Sequence, residues 1–117
     1  MTQASNNCPA APVIPYIFLK DCHRKVRISL SDIVLIEAAD NYVYVHLYKR
    51  GKRLFKTTLI NLEDKLRQTE LVRVNNSFIV NTSHVEYIEL DLIRIGDREV
   101  ALSKKYAATF WAKLLVI

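Results

Sequence analysis

The polar chemistry of this chain is densest in Arg73-Val74-Asn75-Asn76-Ser77-Phe78-Ile79-Val80-Asn81. One guanidinium, two amides and one hydroxyl stand in front of a short apolar run that is long enough for a buried strand. A strand end can hold such a set rigidly. An amide donates and accepts at once, which suits a base edge, and a guanidinium suits a phosphate or a guanine. Asn-Asn is also good turn chemistry, because Asn tolerates left-handed backbone angles and hydrogen-bonds its own chain. On these residues alone the turn is at least as good a reading.

Three further clusters share this character. Asn41-Tyr42, Lys49-Arg50-Gly51-Lys52-Arg53 and Lys104-Lys105-Tyr106 all fall at joints between elements. Lysine and arginine at turns can meet phosphates, and Asn and Tyr can bond base edges or sugars. Each cluster is also an ordinary solvated turn, and for residues 49–53 that reading is preferred. Several such clusters on one frame are more telling than any one. Catalysis finds less support. His23, His46 and His84 fall on different elements, and Glu37 has no second carboxylate or nucleophile at a motif spacing. Two glycines cannot build a P-loop or a dinucleotide turn, and there is no Gly-x-Ser-x-Gly. The expectation is a binding module, not an enzyme, with no cofactor and no metal.

Composition sets the frame for these groups. A chain of 117 residues, 50% hydrophobic, makes one domain with a real core. Its 2 Gly and 3 Pro, with every Pro before Tyr16, argue against a loop-rich body. A formal net charge of +5 favours an anionic partner. Cys8 and Cys22 make no disulfide framework and have no metal-ligand spacing, so both are read as free thiols. The start lacks a signal-peptide pattern, and no apolar stretch approaches the ~20 residues that span a bilayer. These features predict a cytoplasmic protein with no membrane partner. Residues 1–15 read as a linker or disordered tail, and residues 16–117 as the domain.

Within the domain, residues 16–20 and 25–30 predict a hairpin, and residues 33–36 a strand covered on both faces. Residues 37–41 interrupt the pattern. Residues 42–48 then alternate, with Tyr42, Tyr44, His46 and Tyr48 on one face. Residues 49–52 turn at Gly51, and residues 53–57 return. Leu59, Leu62 and Leu66 fall at helical spacing, with Asn61 as the expected N-cap. Strands are predicted over 78–80, 84–89, 90–95 and 98–102, with a turn at Gly96-Asp97. Ser103 caps a last helix whose stripe is Tyr106, Ala107, Phe110, Trp111, Leu114 and Leu115. There is no βαβ rhythm, so a parallel nucleotide-binding sheet is not expected. No helix carries the basic face of a recognition helix, so DNA binding, if present, would use loops.

Four blocks, in order and at matching spacing, resemble the LytTR-type DNA-binding domains. Residues 32–45 are similar to that family's opening, an apolar strand ending in Glu-Ala followed by Asn-Tyr and an alternating strand. Thr58-Leu59 with Leu62-Glu63 and Leu66 resembles its helix. Residues 73–81 resemble its Arg-Val-His-Arg-Ser-Phe-Ile-Val-Asn block, and residues 100–106 its Pro-Val-Ser-Arg-Arg-Tyr end. The resemblance runs from about Tyr16 to Leu115. It implies a mainly β fold: an elongated antiparallel β-sheet domain with one short inner helix and a C-terminal helix. It implies sequence-specific binding of double-stranded promoter DNA, by loops entering the major groove, as the output domain of a transcriptional response regulator. A receiver domain would precede this segment in the natural chain, and two copies would sit on paired repeats.

Carried over residue by residue, the resemblance puts base contacts at Asn41 and Tyr42, in the loop after the Glu-Ala strand. Asn75 and Asn76 replace the family's His-Arg, which loses charge and reach and favours adenine. Lys104 and Lys105 replace Arg-Arg, which keeps the charge but loses the bidentate fork. Lys104 is then the base contact of that pair, while Arg73, Ser77 and Lys105 are expected on phosphates. Phe78 is read as core and Glu37 as structural. The alternative is a protein-interaction module that uses the aromatic C-terminal helix or the tyrosine strand face.

Overall fold

β3 (Ile33–Ala39) begins as a run with no polar face, and a strand of that kind needs cover on both sides. In the computed structural model, which describes residues 15–117, β3 has that cover. It is the middle strand of a five-stranded antiparallel sheet. β4 (Tyr42–Leu47) and β5 (Gly51–Phe55) lie on one side of it, and β7 (Phe78–Asn81) and β6 (Leu71–Arg73) on the other. β1 (Tyr16–Asp21) and β2 (Arg24–Ser29) form a separate hairpin. β8 (Val85–Glu89), β9 (Leu92–Ile95) and β10 (Arg98–Ala101) form a three-stranded sheet. The helices are α1 (Leu59–Lys65) and α2 (Lys104–Ala112).

The two faces of the central sheet feed two cores. Ile36, Val45 and Ile79 pack with Leu19 and Ile28 of the hairpin and with Leu59, Leu62 and Leu66 of the α1 region. Leu35, Val72 and Val80 pack with Ile93, Ile95, Val100 and Phe110. The hairpin and α1 therefore cover one face, and the three-stranded sheet and α2 cover the other. Ile33 and Ile36 are an odd number of residues apart and would point to opposite faces of a regular strand. The ladder to β4 slips between Ile33 and Leu35, and this bulge brings both into the same core.

Several sequence expectations are corrected here. Residues 37–39 do not interrupt β3 but extend it, because Glu37 pairs with both Tyr44 and Phe78. Only Asp40-Asn41 forms the turn. Asn61 is not the helix cap. Thr58 is, its Oγ1 accepting from the Asn61 main-chain N–H at 3.2 Å. Residues 82–84 form a 3-10 turn, so His84 precedes β8 instead of opening it. Tyr48 lies beyond β4 and stacks on His84. The apolar stripe of α2 is narrower than expected: Tyr106 and Phe110 are buried, while Trp111 and Leu115 are exposed. The ladder also reaches one residue into the expected tail, since Pro15 O accepts from Leu30 N at 3.0 Å. Residues 1–14, with Cys8 and the rest of that tail, lie outside the described residues. No helix among the described residues is long and apolar enough to cross a membrane.

Candidate nucleic-acid interface

Three segments meet where β3 ends. Ala38 N donates to Ser77 O at 2.8 Å, which brings loop 75–77 beside the last residues of β3. Asp40, at φ 57, turns the chain in two residues and presents Asn41 and Tyr42 at the same end. Ser103 N donates to Val74 O at 2.8 Å, and Asn75 Nδ2 donates to Ala101 O at 2.7 Å. These two bonds lock the start of α2, with Lys104 and Lys105, against the same loop. Asn41, Tyr42, Asn76, Ser77, Lys104 and Lys105 are all exposed there.

Loop 75–77 is rigid for identifiable reasons. Asn75 Oδ1 accepts from Ser77 N at 2.8 Å and from Phe78 N at 2.9 Å, an Asx turn that leads directly into β7. The Arg73 guanidinium donates from Nε to Asn75 O and from a terminal nitrogen to Asn76 O, both at 3.1 Å. Its other terminal nitrogen is paired with Glu63 Oε1 on α1 at 3.0 Å. The planar fork lies over the Tyr106 ring, and its side chain is only 11% exposed. Arg73 and Asn75 were expected on phosphate and base. In this geometry both are committed to holding the loop. Asn76 and Ser77 differ: among the described residues no hydrogen bond holds the Asn76 amide or the Ser77 hydroxyl.

The start of α2 breaks a local rule. Lys104 and Lys105 occupy its first two positions, no acidic residue stands in the first turn, and Ser103 makes no side-chain cap. Cations at the positive end of a helix dipole cost about 0.3–1 kcal/mol each when exposed. The same arrangement attracts an anion, and locally unfavourable choices of this kind are commonest at functional surfaces. Lys105 Nζ leans over the Tyr106 ring at 5.3 Å, so Tyr106 braces both Lys105 and Arg73.

Other expected groups lie elsewhere. Residues 49–51 sit at the far end of β4, roughly 17 Å away at about 3.3 Å per residue, and Lys52 and Arg53 pair with His46 and Val45 along the strand. Glu37 Oε1 is bonded to His46 Nε2 at 2.9 Å, so that carboxylate is occupied within the sheet. Sequence reasoning missed three contributors. Lys56 is exposed just after β5, whose last residue, Phe55, pairs with Val43 beside Tyr42. Its signal was its place at the end of a return strand. Glu63 anchors Arg73, and its only signal was its place in the Leu62-Glu63 helix block, which names no partner for it. Asn81, fully buried, donates to Leu30 O and Ile33 O and ties β7 to the start of β3.

The family model of the LytTr DNA-binding domain matches residues 23–115. The sensory transduction proteins LytT of Bacillus cereus and of Bacillus anthracis are each 33% identical to it over 88 residues, which is 70% of this chain and 35% of theirs. The chain thus spans about a third of the length of these curated relatives. A solved LytTr DNA-binding domain from a Bacillus cereus response regulator superposes with a TM-score of 0.68 at 25% identity, covering 86% of this chain and 96% of that one.

Proposed function

Because the chain belongs to the LytTR DNA-binding domain family, we propose that it binds double-stranded promoter DNA sequence-specifically, with the loops at one end of the central sheet entering the major groove. The observation that carries this reading is the convergence of three segments, locked by main-chain hydrogen bonds, on one exposed polar and cationic end. Asn76 and Asn41 offer free amides of the kind that pair with adenine, with Tyr42 beside them. Lys104 is assigned to a base edge. Lys105, Ser77 and Lys56 are assigned to phosphates, where charge positions the protein without reading sequence. Arg73 and Asn75 act behind the surface by fixing the Asn76 main chain.

Such a domain serves as the output unit of a transcriptional response regulator in the bacterial cytoplasm. The greater length of the LytT relatives leaves room for a receiver domain. The competing interaction-module reading loses much of its aromatic helix, because Tyr106 and Phe110 are core residues. The test is selection of bound duplexes from a random pool by the 117-residue chain at moderate salt. A recovered motif supports the reading. A folded chain that enriches nothing overturns it.

A further inference from the structure

We infer that two copies of this chain associate head to tail, the outer face of the β1–β2 hairpin of one against the outer face of the β8–β10 sheet of the other. The hairpin's inner residues, Leu19 and Ile28, enter the core. Its outer face consists of Tyr16, Phe18, Lys20, Lys25 and Arg27, all exposed, with Phe18 opposite Arg27 and Lys20 opposite Lys25 in the ladder. Tyr16 and Phe18 meet edge to face, and Arg27 lies over the Tyr16 ring. Two aromatic rings and three cations thus stand on solvent with no acidic residue among them.

The outer face of the three-stranded sheet has the opposite sign. Tyr87 and Leu92 are exposed, flanked by Glu89 and Glu99 on the same face, with Glu86 exposed on the edge strand. The register sets Glu89 opposite Leu92, and Arg94 opposite both Tyr87 and Glu99. Arg94 is half-buried and matched by Glu99 within its own sheet, so the net charge offered is acidic. Each face therefore carries two large apolar side chains beside charges complementary to the other face, the arrangement that steers and registers an encounter.

The layer order makes the pairing geometrically usable. The hairpin covers one face of the central sheet and β8–β10 the other, so the two outer faces point in opposite directions. Copies stacked face to face are related by translation along the sheet normal. The candidate DNA-binding end lies along the strand direction, at right angles to that normal. Every copy in the stack therefore presents the same end to the same side, which fits sites in direct repeat and not a palindrome.

Size fixes the strength. A six-residue, two-stranded face measures roughly 20 by 10 Å, or about 200 Å², against about 800 Å² per partner in a stable complex. A contact of that size is expected to leave the free chain monomeric and to act when two copies share one duplex and their effective concentration is millimolar.

The cooperative form of the proposal rests on the DNA-binding reading, and the experiment separates the two. Wild type, Arg27→Glu and Glu89→Lys are titrated onto a duplex with one selected site and onto one with two sites in direct repeat. Single-site affinity is expected to be the same for all three, since neither residue lies at the reading end. Cooperativity of about tenfold in the wild type, a typical coupling, is expected to vanish in each variant alone. It returns in an equimolar mixture of the two variants, because one intact basic face then meets one intact acidic face. Unchanged cooperativity in both variants overturns the inference, as does a mixture that restores nothing.

If the wild type binds no single site, it is the DNA reading that fails. The association is then read without DNA, from amide shifts as protein is diluted from millimolar concentration. Shifts confined to the two faces support it. Shifts that ignore concentration but follow deletion of residues 1–14 would place that segment on the hairpin and overturn it.

Discussion

Asn75 Nδ2 donates to Ala101 O at 2.7 Å, joining a loop before β7 to the end of β10, 26 residues away. The same side chain accepts from two main-chain amides, Ser77 N and Phe78 N. One amide therefore sets both the shape of loop 75–77 and its distance from α2. Asn75→Ala is expected to cost about 1–3 kcal/mol of stability and to abolish sequence discrimination. Asn75→Asp keeps both acceptor bonds but sets a carboxylate oxygen against Ala101 O; at acid pH, below about 4, the neutral acid can donate in its place, and there it should cost less than Asn75→Ala. Urea denaturation with duplex titration checks the order. Equal losses for the two variants at acid pH would sink this account of the loop.

Arg73 separates a positioning role from a phosphate contact. Its fork holds two carbonyls and Glu63, and lysine cannot reproduce that geometry. Arg73→Lys keeps the charge. It is expected to lower the cognate-to-scrambled affinity ratio by about tenfold, the scale of one misread base pair, while the salt dependence stays as it was. Should discrimination survive in Arg73→Lys, or the salt slope of Arg73→Ala fall by about 0.9, Arg73 is a phosphate contact after all.

Lys105 and Asn76 should fail in different ways. Lys105→Ala is expected to weaken all duplexes alike and to reduce the salt slope by about one. Asn76→Ala is expected to leave that slope alone and to blur one position of the site, at about 1–3 kcal/mol. The measurement is affinity for cognate and scrambled duplexes across a salt series. An unchanged affinity ratio for Asn76→Ala removes the base-reading role from that residue.

Much of the fold was legible because period-two alternation and continuous apolar runs speak directly of burial. β4 and the covered core of β3 are of that kind. What was not legible depends on partners distant in sequence. Glu37 looks like a break until Tyr44 and Phe78 flank it. Thr58 and Asn61 both suit a cap, and tertiary docking of Leu59 decides where the helix starts. The candidate site was legible in part for the same reason. Asn76 and Lys104 announce themselves by type, but that Arg73 faces inward depends on Glu63 and Tyr106, which no spacing rule connects to it. The exact residues of two expected strand-to-strand turns were also hard to see, because Cys22 and Leu90 take left-handed angles that sequence normally marks with glycine.

Leu90 makes that last point testable. It opens the β8–β9 turn at φ 56 and is 89% exposed, so it holds an unfavourable backbone angle with almost no burial in return. The left-handed conformation costs an L-residue about 1–2 kcal/mol, and glycine gives back about 0.5–1 through chain entropy. Leu90→Gly is expected to stabilise the domain by roughly 0.5–1 kcal/mol net and to raise Tm by a few degrees. A lower Tm would show that the leucine side chain contributes packing that its exposure does not suggest.

Asn81 presents the opposite case, a buried polar group with every bond made. Its Nδ2 donates to Leu30 O at 2.9 Å and Ile33 O at 2.8 Å, and its Oδ1 accepts from Ser83 N and Ser83 Oγ. Asn81→Leu keeps the branched heavy-atom skeleton, though it is bulkier, and strands those carbonyls, at about 1–3 kcal/mol for each group left unsatisfied. A loss of about 3 kcal/mol or more is expected, a large share of a typical domain's 5–15. Asn81→Asp turns a carboxylate toward two carbonyl oxygens. The neutral acid can still donate one bond, so the folded state holds that proton more tightly than the unfolded chain does. Where the folded state binds more protons, stability falls as pH rises. The deficit relative to wild type should therefore deepen as pH climbs above about 4, the ordinary range of an unfolded aspartate. Urea midpoints of both proteins between acid and neutral pH measure it. A deficit constant across that range would mean that water or a backbone shift relieves the clash and that Asn81 is not the tie between β7 and β3.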